Sequence, residues 1–188
     1  MAIRLKHSSA YSTYFCTFTC YNWLALFEIT KSYDIVYKWF RYLREREIGE
    51  IIAYVIMPNH IHYIMYFKDE HFNLNKIVAN AKRFMAYEIV ERLKAKNEDT
   101  ILNILAEAVT VRERNKGQLH KVFEESFDGK AIFSKKFLEQ KLAYIHNNPV
   151  SGKWQLAKDF TEYEHSSASF YETASITHFK PVHFMDMR

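Results

Sequence analysis

Two apolar segments that follow each other almost without a gap constrain the fold of this chain most strongly. Residues 51–57 (IIAYVIM) and 60–67 (HIHYIMYF) are rich in β-branched and aromatic residues, and only Pro58 and Asn59 separate them. This composition is typical of β-strands, and a Pro-Asn pair is a turn signal. The sequence therefore predicts a β-hairpin over residues 51–67.

Strand-like and helix-like segments alternate along the rest of the chain. Apolar residues at helical spacing predict helices, whereas short runs of β-branched and aromatic residues predict strands. Gly49 is placed to end the first long helix, Ser134 to cap the last and Pro149 to stop it. The predicted elements are a strand at 13–20, helices at 32–47, 73–94 and 100–108, a short strand at 127–133 and a helix at 135–147.

This order predicts the fold class. The order strand, helix, hairpin, helix, strand favours an α+β fold. We expect a ferredoxin-like antiparallel sheet with helices on one face, followed by a C-terminal helix that carries the candidate nucleophile. The 188 residues suit one domain, 1–188. We expect an inserted helix-loop around 95–120, with the charged segment 111–121 as a surface loop.

Composition excludes several classes of protein. Apolar residues make up 48% of the chain, which excludes disordered and collagen-like proteins. The net charge of +4 leans basic but does not establish a polyanionic partner. Cys16 and Cys20 form no CxxC pair and would lie about 13 Å apart on a strand, so we expect two buried free thiols. With no signal core in residues 1–13 and no membrane span, we expect a cytoplasmic protein without a membrane partner.

His60 and His62 are candidate metal ligands. Alternate residues of a strand point to the same face, with Cα atoms about 6–7 Å apart, so two imidazoles can converge on one cation. We expect them to open to a solvent-accessible cleft, while Ile61 and Tyr63 face the core. Taken alone, the spacing is more often that of a pair of exposed strand histidines.

Tyr144 is a candidate nucleophile on the last helix. It lies at the edge of that helix's apolar stripe, in line with Lys141 and Asn148. A tyrosine in this position is also explained as a packing residue with a hydrated hydroxyl. Pro149 disfavours helical geometry at Asn148, so the sequence leaves the alignment of Asn148 with Tyr144 open. His146 is expected at the surface or at the edge of the core.

These residue types together suit phosphodiester chemistry. A divalent cation held by two imidazoles and an amide oxygen polarises a phosphodiester and stabilises charge on its oxygens. A tyrosyl oxygen can then attack the phosphorus and take over the DNA end. The phosphotyrosyl bond conserves the bond energy, so the strand can be rejoined without a nucleotide cofactor.

Four segments of the chain also resemble a known family. MPNHIHYIMYF is similar to the histidine-hydrophobe-histidine (HUH) signature of the single-tyrosine transposases. YFCTFTCYNWLALF resembles that family's first strand, LNKIVANAKRFMAYEI its middle helix, and FEESFDGKAIFSKKFLEQKLAYIHNNPVSGKW its nucleophile helix. The resemblance spans residues 11–171, and the group it indicates is the REP-associated tyrosine transposases, which act on palindromic repeats.

The resemblance implies a function and a site. It implies that His60 and His62 bind the metal, Mg²⁺ or Mn²⁺, with Asn148 as a third ligand, and that Tyr144 is the nucleophile. The implied reaction cleaves and rejoins single-stranded DNA at hairpin ends through a 5′-phosphotyrosine intermediate, in a monomer or a homodimer. Phe123, where relatives often have Trp, and the Ser-Ser-Ala at 166–168 depart from the family pattern.

Several basic residues are candidates for DNA contacts. Phosphate binding by lysine and arginine is one explanation for them, and a solvated helix face or a solubilising loop is the other. The candidates are Lys82, Arg83, Arg112, Arg114, Lys116 and Lys121.

Two other functions compete with the enzyme. One is a domesticated hairpin-DNA-binding protein that has lost turnover, against which the intact His60, His62 and Tyr144 argue. The other is a zinc-dependent hydrolase, against which the missing HExxH motif and the missing neighbouring carboxylate argue.

Overall fold

The computed structural model describes residues 11–152 and 154–187. The prediction that residues 1–13 hold no signal core falls mostly on residues 1–10, which lie outside the described residues. Elements follow the predicted order, with short helices added between the longer ones. They are β1 (Thr13–Thr19), α1 (Leu26–Ile29), α2 (Tyr33–Glu45), β2 (Glu50–Met57), β3 (His60–Tyr66), α3 (Leu74–Ala95), α4 (Asp99–Glu107), α5 (Val111–Arg114), β4 (Asp128–Ala131), α6 (Lys135–Asn147) and α7 (Ala168–Thr173).

The four strands form one antiparallel sheet in the order β2-β3-β1-β4. This is the strand order of a ferredoxin-like fold, so the predicted fold class is confirmed. Met57 pairs with His60 across the tight turn, which confirms the predicted hairpin. The pairing of β1 with β3 places Thr17 opposite His62, which matters for the site described below.

Helices cover both faces of the sheet. Ile61 and Tyr63 point to the face covered by α2 and α3, where they join the larger apolar core as predicted. The opposite face carries Phe15, Val55 and Ile64, and there the C-terminal helix α6 inserts its buried side chains. Because successive residues of a strand alternate between faces, β3 contributes to both cores. The helices α2 and α3 therefore share one face of the sheet, as predicted, and α6 packs on the other face.

Gly49 does not end α2, as the sequence analysis had predicted. The helix ends at Glu45, and Glu47 takes the left-handed conformation, with φ of 53°. A Cβ atom at Gly49 would lie 2.9 Å from the carbonyl oxygen of Tyr66. Glycine is required there because the chain passes close to the end of β3.

The region around 95–120 holds α4 and α5. The predicted loop at 111–121 begins with a short helix, because Thr110 and Glu113 form a reciprocal capping box. Its status as an insertion in a single domain stays a prediction. Across the described residues, no helix combines the length and the apolar character that a membrane span needs. Cys16 and Cys20 are buried free thiols, as expected.

Candidate active site

The two histidines of β3 lie side by side on the face covered by α6. Their ring centroids are 4.6 Å apart. The two imidazoles share one strand face as predicted. Each is only 6% exposed, so they are less open to solvent than the expected cleft implies. Phe15 stacks on His62 and α6 covers the strand, and together they reduce the solvent access of both imidazoles.

His60 is held in a defined orientation by the residue before it. The side-chain amide nitrogen of Asn59 donates to the carbonyl oxygen of Trp23 at 3.0 Å. The amide oxygen of Asn59 therefore faces His60, where it accepts from Nδ1 at 2.6 Å. This arrangement places the proton of a neutral His60 on Nδ1 and leaves the lone pair of Nε2 for a metal ion.

His62 is held in the same manner by the neighbouring strand. The hydroxyl oxygen of Thr17 lies 2.6 Å from Nδ1 of His62. The hydroxyl oxygen of Tyr144 lies 3.4 Å from the other ring nitrogen, Nε2. Both imidazoles thus have Nδ1 engaged by a partner on the sheet side, which is the usual way a protein orients histidine ligands.

Burial keeps both imidazoles neutral at physiological pH. It lowers the pKa of His60 to about 4, against a smaller opposing effect of the Asn148 hydrogen bond. It also lowers the pKa of His62 to about 3, assisted by the charges of His60 and Lys141. A neutral imidazole is the form that binds a metal ion, so the site is prepared for a cation.

Tyr144 reaches this pair from α6. The helix begins as predicted at the Ser134 cap, where the side chain accepts from the backbone N–H of Phe137 at 3.2 Å. The Tyr144 ring packs edge-on against His62, with centroids 5.1 Å apart, and the residue is 47% exposed. A tyrosine that is open to solvent on one side and next to a histidine on the other is accessible to a substrate.

Asn148 joins the site although it precedes a proline. Its φ of −57° and ψ of −43° are helical, so the expected disturbance by Pro149 is absent. Pro149 lies in a 3-10 turn, Asn148–Val150, directly after α6, which allows the helical direction to continue. The Asn148 side chain consequently comes near His60, where it opposes the lowering of the pKa of that imidazole.

Sequence reasoning missed the residues that support the two histidines. Thr17 is identified only by the pairing register of β1 with β3, which the sequence does not reveal. Asn59 was read as a turn residue, although its position next to His60 was a usable signal. Trp23 is 60% exposed and its ring centroid lies 5.7 Å from that of His60.

Lys141 lies beside the candidate nucleophile. Its ammonium nitrogen is 4.7 Å from the centre of the Phe15 ring and 5.5 Å from the centre of the Tyr144 ring. The alignment of Lys141 with Tyr144 follows from their spacing of three residues on one helix. This lysine brings a positive charge to the mouth of the site.

His146 is not at the surface or at the edge of the core, as had been expected. It is 4% exposed, and its Nε2 lies 3.0 Å from the hydroxyl oxygen of Ser167. Ser167 also accepts from the backbone N–H of Tyr54 at 3.0 Å. The Ser-Ser-Ala segment thus joins the end of α6 to β2.

The predicted DNA-contacting residues lie apart from this site, on the side of α3 and α5. The Lys82 ammonium donates to the backbone carbonyls of Glu124 and Glu125, and burial lowers the pKa of this lysine to about 8. A groove of about 940 Å³ runs between α3 and the segment 113–127. Four of the candidates line it: Lys82, Arg83, Lys116 and Lys121.

The other two basic candidates lie on α5. Arg114 donates to the carbonyl oxygen of Ala106 at 3.2 Å. Arg112 is exposed on the same short helix. Because α3 packs on the face of the sheet opposite to α6, the two candidates on α3 among these six residues lie across the sheet from His60 and His62. Their contact with DNA stays a prediction.

Comparison with known proteins gives structural matches only. No protein-family model matches the chain, and no curated protein matches it. The structure of a REP-associated tyrosine transposase bound to a REP hairpin matches with a TM-score of 0.61 and 16% identity, over 97% of this chain and 93% of the other. A protein of Deinococcus radiodurans assigned as a transposase matches with a TM-score of 0.42 and 12% identity, over 78% of this chain and 95% of the other.

The first of these matches covers nearly the whole chain. Because only 16% of the residues are identical, this match is evidence for the fold and not for the chemistry. The fold and the motifs point to the same group of proteins by independent routes. The chain therefore has the fold of a REP-associated tyrosine transposase, the family that its sequence motifs resemble.

Proposed function

We propose that this protein cleaves and rejoins single-stranded DNA at hairpin ends, with Tyr144 as the residue that carries the DNA end. One observation supports this most strongly. The Tyr144 hydroxyl oxygen lies 3.4 Å from Nε2 of His62, and His62 stands beside His60 on the same strand face. A nucleophile next to two metal-binding nitrogens is the arrangement that phosphodiester cleavage through tyrosine needs.

The donor set fits a divalent cation. His60 and His62 would hold the ion through their Nε2 atoms, and Asn148 would add its amide oxygen. The supporting observations are the two engaged Nδ1 atoms and the burial that keeps both rings neutral. When bound, Mg²⁺ or Mn²⁺ supplies stabilisation of the negative charge on the phosphate oxygens.

The residues of the chain account for the remaining steps. The Tyr144 oxygen attacks the phosphorus and loses its proton to solvent. The bond to the 3′ oxygen breaks, this oxygen takes a proton from solvent and leaves as a hydroxyl, and the 5′ phosphate stays on the tyrosine. The reverse attack by a 3′ hydroxyl rejoins the strand. Lys141, with its ammonium 5.5 Å from the Tyr144 ring, attracts the phosphate toward this side of the site.

The proposed substrate is a hairpin with an unpaired flank. An unpaired strand can bring its phosphate to the buried histidines, whereas a plain duplex is too wide for that approach. Trp23, which is exposed next to His60, offers a ring on which an unpaired base can stack. The solved protein with this fold is bound to a REP hairpin, which supports the same class of DNA.

A cleavage assay on a labelled hairpin oligonucleotide with Mg²⁺ or Mn²⁺ tests the proposal. We expect a covalent protein–DNA band that survives denaturation, and we expect Tyr144→Phe to remove it while hairpin binding persists. Tyr87→Phe is the matched control, because Tyr87 is a helical tyrosine that is 64% exposed and lies on α3.

The same assay distinguishes the competing functions. A domesticated binding protein shifts the hairpin and gives no covalent band in any metal. A zinc-dependent hydrolase gives neither the shift nor the covalent band. If Tyr144→Phe still forms the adduct, the assignment of the nucleophile is wrong.

A further inference from the structure

Two histidines and a glutamate meet at the edge of the sheet, apart from the candidate active site. The ligand atoms of Glu164, His165 and His178 all lie within 4.8 Å of one another. The carbonyl oxygen of His165 accepts from the backbone N–H of Ile56 at 2.9 Å, which fixes this segment to the edge strand β2. The function proposed above does not use these three side chains.

The carboxylate of Glu164 stands between the two imidazoles. One of its oxygens lies 3.6 Å from Nε2 of His165, and the other lies 3.2 Å from Nε2 of His178. Tetrahedral zinc with bonds of about 2.0–2.1 Å places neighbouring ligand atoms about 3.3 Å apart. The separations of 3.6 Å and 3.2 Å, each to a different oxygen of Glu164, are close to that value, and with all ligand atoms within 4.8 Å small side-chain rotations bring them to one ion.

Aromatic side chains of α2 hold the imidazoles in this orientation. The hydroxyl oxygen of Tyr37 lies 3.0 Å from Nδ1 of His165, so Nε2 is directed away from the helix and toward Glu164. The ring of Tyr33 stacks on His165 with centroids 3.7 Å apart, and Tyr37 stacks on His178 at 5.0 Å. A partner on Nδ1 is the support that zinc-binding histidines usually have.

The cluster joins two segments that are already in contact. The Thr177 hydroxyl donates to the carbonyl oxygen of Glu164 at 3.0 Å. One residue beyond His178, Phe179 is 5% exposed, and its carbonyl oxygen accepts from the Tyr54 hydroxyl at 3.0 Å. An ion bound here would therefore fasten the segment after α7 to the sheet.

We propose that Glu164, His165 and His178 bind one Zn²⁺ ion that stabilises the packing of the C-terminal segment. Two imidazoles and one carboxylate are a donor set that zinc accepts. The Glu164 and His178 side chains are 65% and 41% exposed, so the fourth coordination position faces solvent and takes a water molecule.

The test is a calorimetric Zn²⁺ titration of metal-free full-length protein that carries His60→Ala and His62→Ala, so that the other histidine pair is removed. We expect one Zn²⁺ per chain and a melting temperature that rises with Zn²⁺ and returns on addition of EDTA. His178→Gln should weaken binding by more than about 100-fold, since loss of a supporting partner alone costs about 10–100-fold. His183→Gln, in the same C-terminal segment, is the control and should bind as its parent does.

Co²⁺ provides a second readout, because a tetrahedral site gives it an intense visible absorption that His178→Gln should abolish. If the double variant does not fold, the wild-type chain serves, and His178→Gln should then lower the Zn²⁺ content by one ion per chain. Failure to bind stoichiometric Zn²⁺, or equal binding with and without His178→Gln, would overturn the proposal.

Discussion

Along β3, Ile61 and Tyr63 point to the face covered by α2 and α3, whereas His60 and His62 point to the face covered by α6. Both sets are almost fully buried. On the first face burial serves packing, because aromatic and aliphatic side chains surround Tyr63. On the second face burial lowers the pKa of each histidine while polar partners hold the ring nitrogens.

The two faces also separate two kinds of tyrosine. Tyr54 and Tyr63 are at most 1% exposed on the α2 side, and burial raises the pKa of Tyr54 to about 12. Tyr144 is 47% exposed beside His62. Burial therefore separates the tyrosines that stabilise the fold from exposed ones such as Tyr144 and Tyr87, and the neighbouring His62 distinguishes Tyr144 from Tyr87.

The largest expected difference between the faces concerns the histidines. His60→Ala or His62→Ala should reduce hairpin cleavage to background, because each removes a metal-binding nitrogen, and should leave hairpin binding in place. Tyr63→Phe, on the opposite face of the same strand, should cleave at the wild-type rate. Initial rates measure cleavage, and mobility shifts measure hairpin binding. Cleavage at the wild-type rate by His62→Ala would contradict the account.

The next effect concerns Asn148 at the end of α6. Asn148→Ala should lower metal affinity and cleavage by about 100-fold, at the upper end of what loss of a partner to a metal site costs. Asn147→Ala is the matched control, since its side chain donates to the carbonyl oxygen of Ala143 on the outside of the helix. Cleavage rates measured over a range of Mn²⁺ concentrations give the metal affinity and the cleavage rate of each variant. Equal rates in the two variants would exclude Asn148 from the site.

A smaller effect is expected at Thr17, which supports His62 from the neighbouring strand. Thr17→Val keeps the shape of the side chain and removes the hydroxyl, so the imidazole loses its fixed orientation. We expect cleavage to fall by about 10-fold, with recovery in Thr17→Ser. A Thr17→Ser variant as slow as Thr17→Val would indicate a packing effect instead.

The smallest effect on cleavage is expected on the α2 face. Phe40 is fully buried there, with its ring centroid 6.4 Å from that of Tyr63. Phe40→Leu should lower the free energy of unfolding by about 1–1.5 kcal/mol, as hydrophobic replacements in a core do. Urea denaturation measures the loss, and cleavage per folded molecule should stay unchanged.

The sequence predicts most helices and strands of this arrangement, and it misses the contacts that depend on the register between paired strands. The hairpin, α3 and α6 follow from apolar periodicity and from caps such as Ser134, and these are local properties. The support of His62 by Thr17 depends on the register between two strands that are distant in the chain. The end of α2 was mispredicted because Gly49 serves a close approach to β3 and not a helix terminus.

The burial of the histidines was also beyond sequence reasoning. The HxH spacing indicates a shared face, but it carries no information on what covers that face. The helix α6 provides the cover, and its contact with β3 joins residues such as His62 and Tyr144, which lie 82 positions apart in the chain. The helical geometry of Asn148 likewise depends on the turn that follows it, which accommodates Pro149.

Mapping the residue that becomes linked to DNA tests the central claim most directly. The protein is reacted with a hairpin oligonucleotide whose 5′-side fragment, which is released with a free 3′ hydroxyl, is short enough to diffuse away, so that the covalent intermediate accumulates. The adduct is then digested and sequenced by mass spectrometry. The account predicts a 5′-phosphotyrosyl bond on Tyr144 in the α6 peptide, and a DNA-linked residue anywhere else would contradict it.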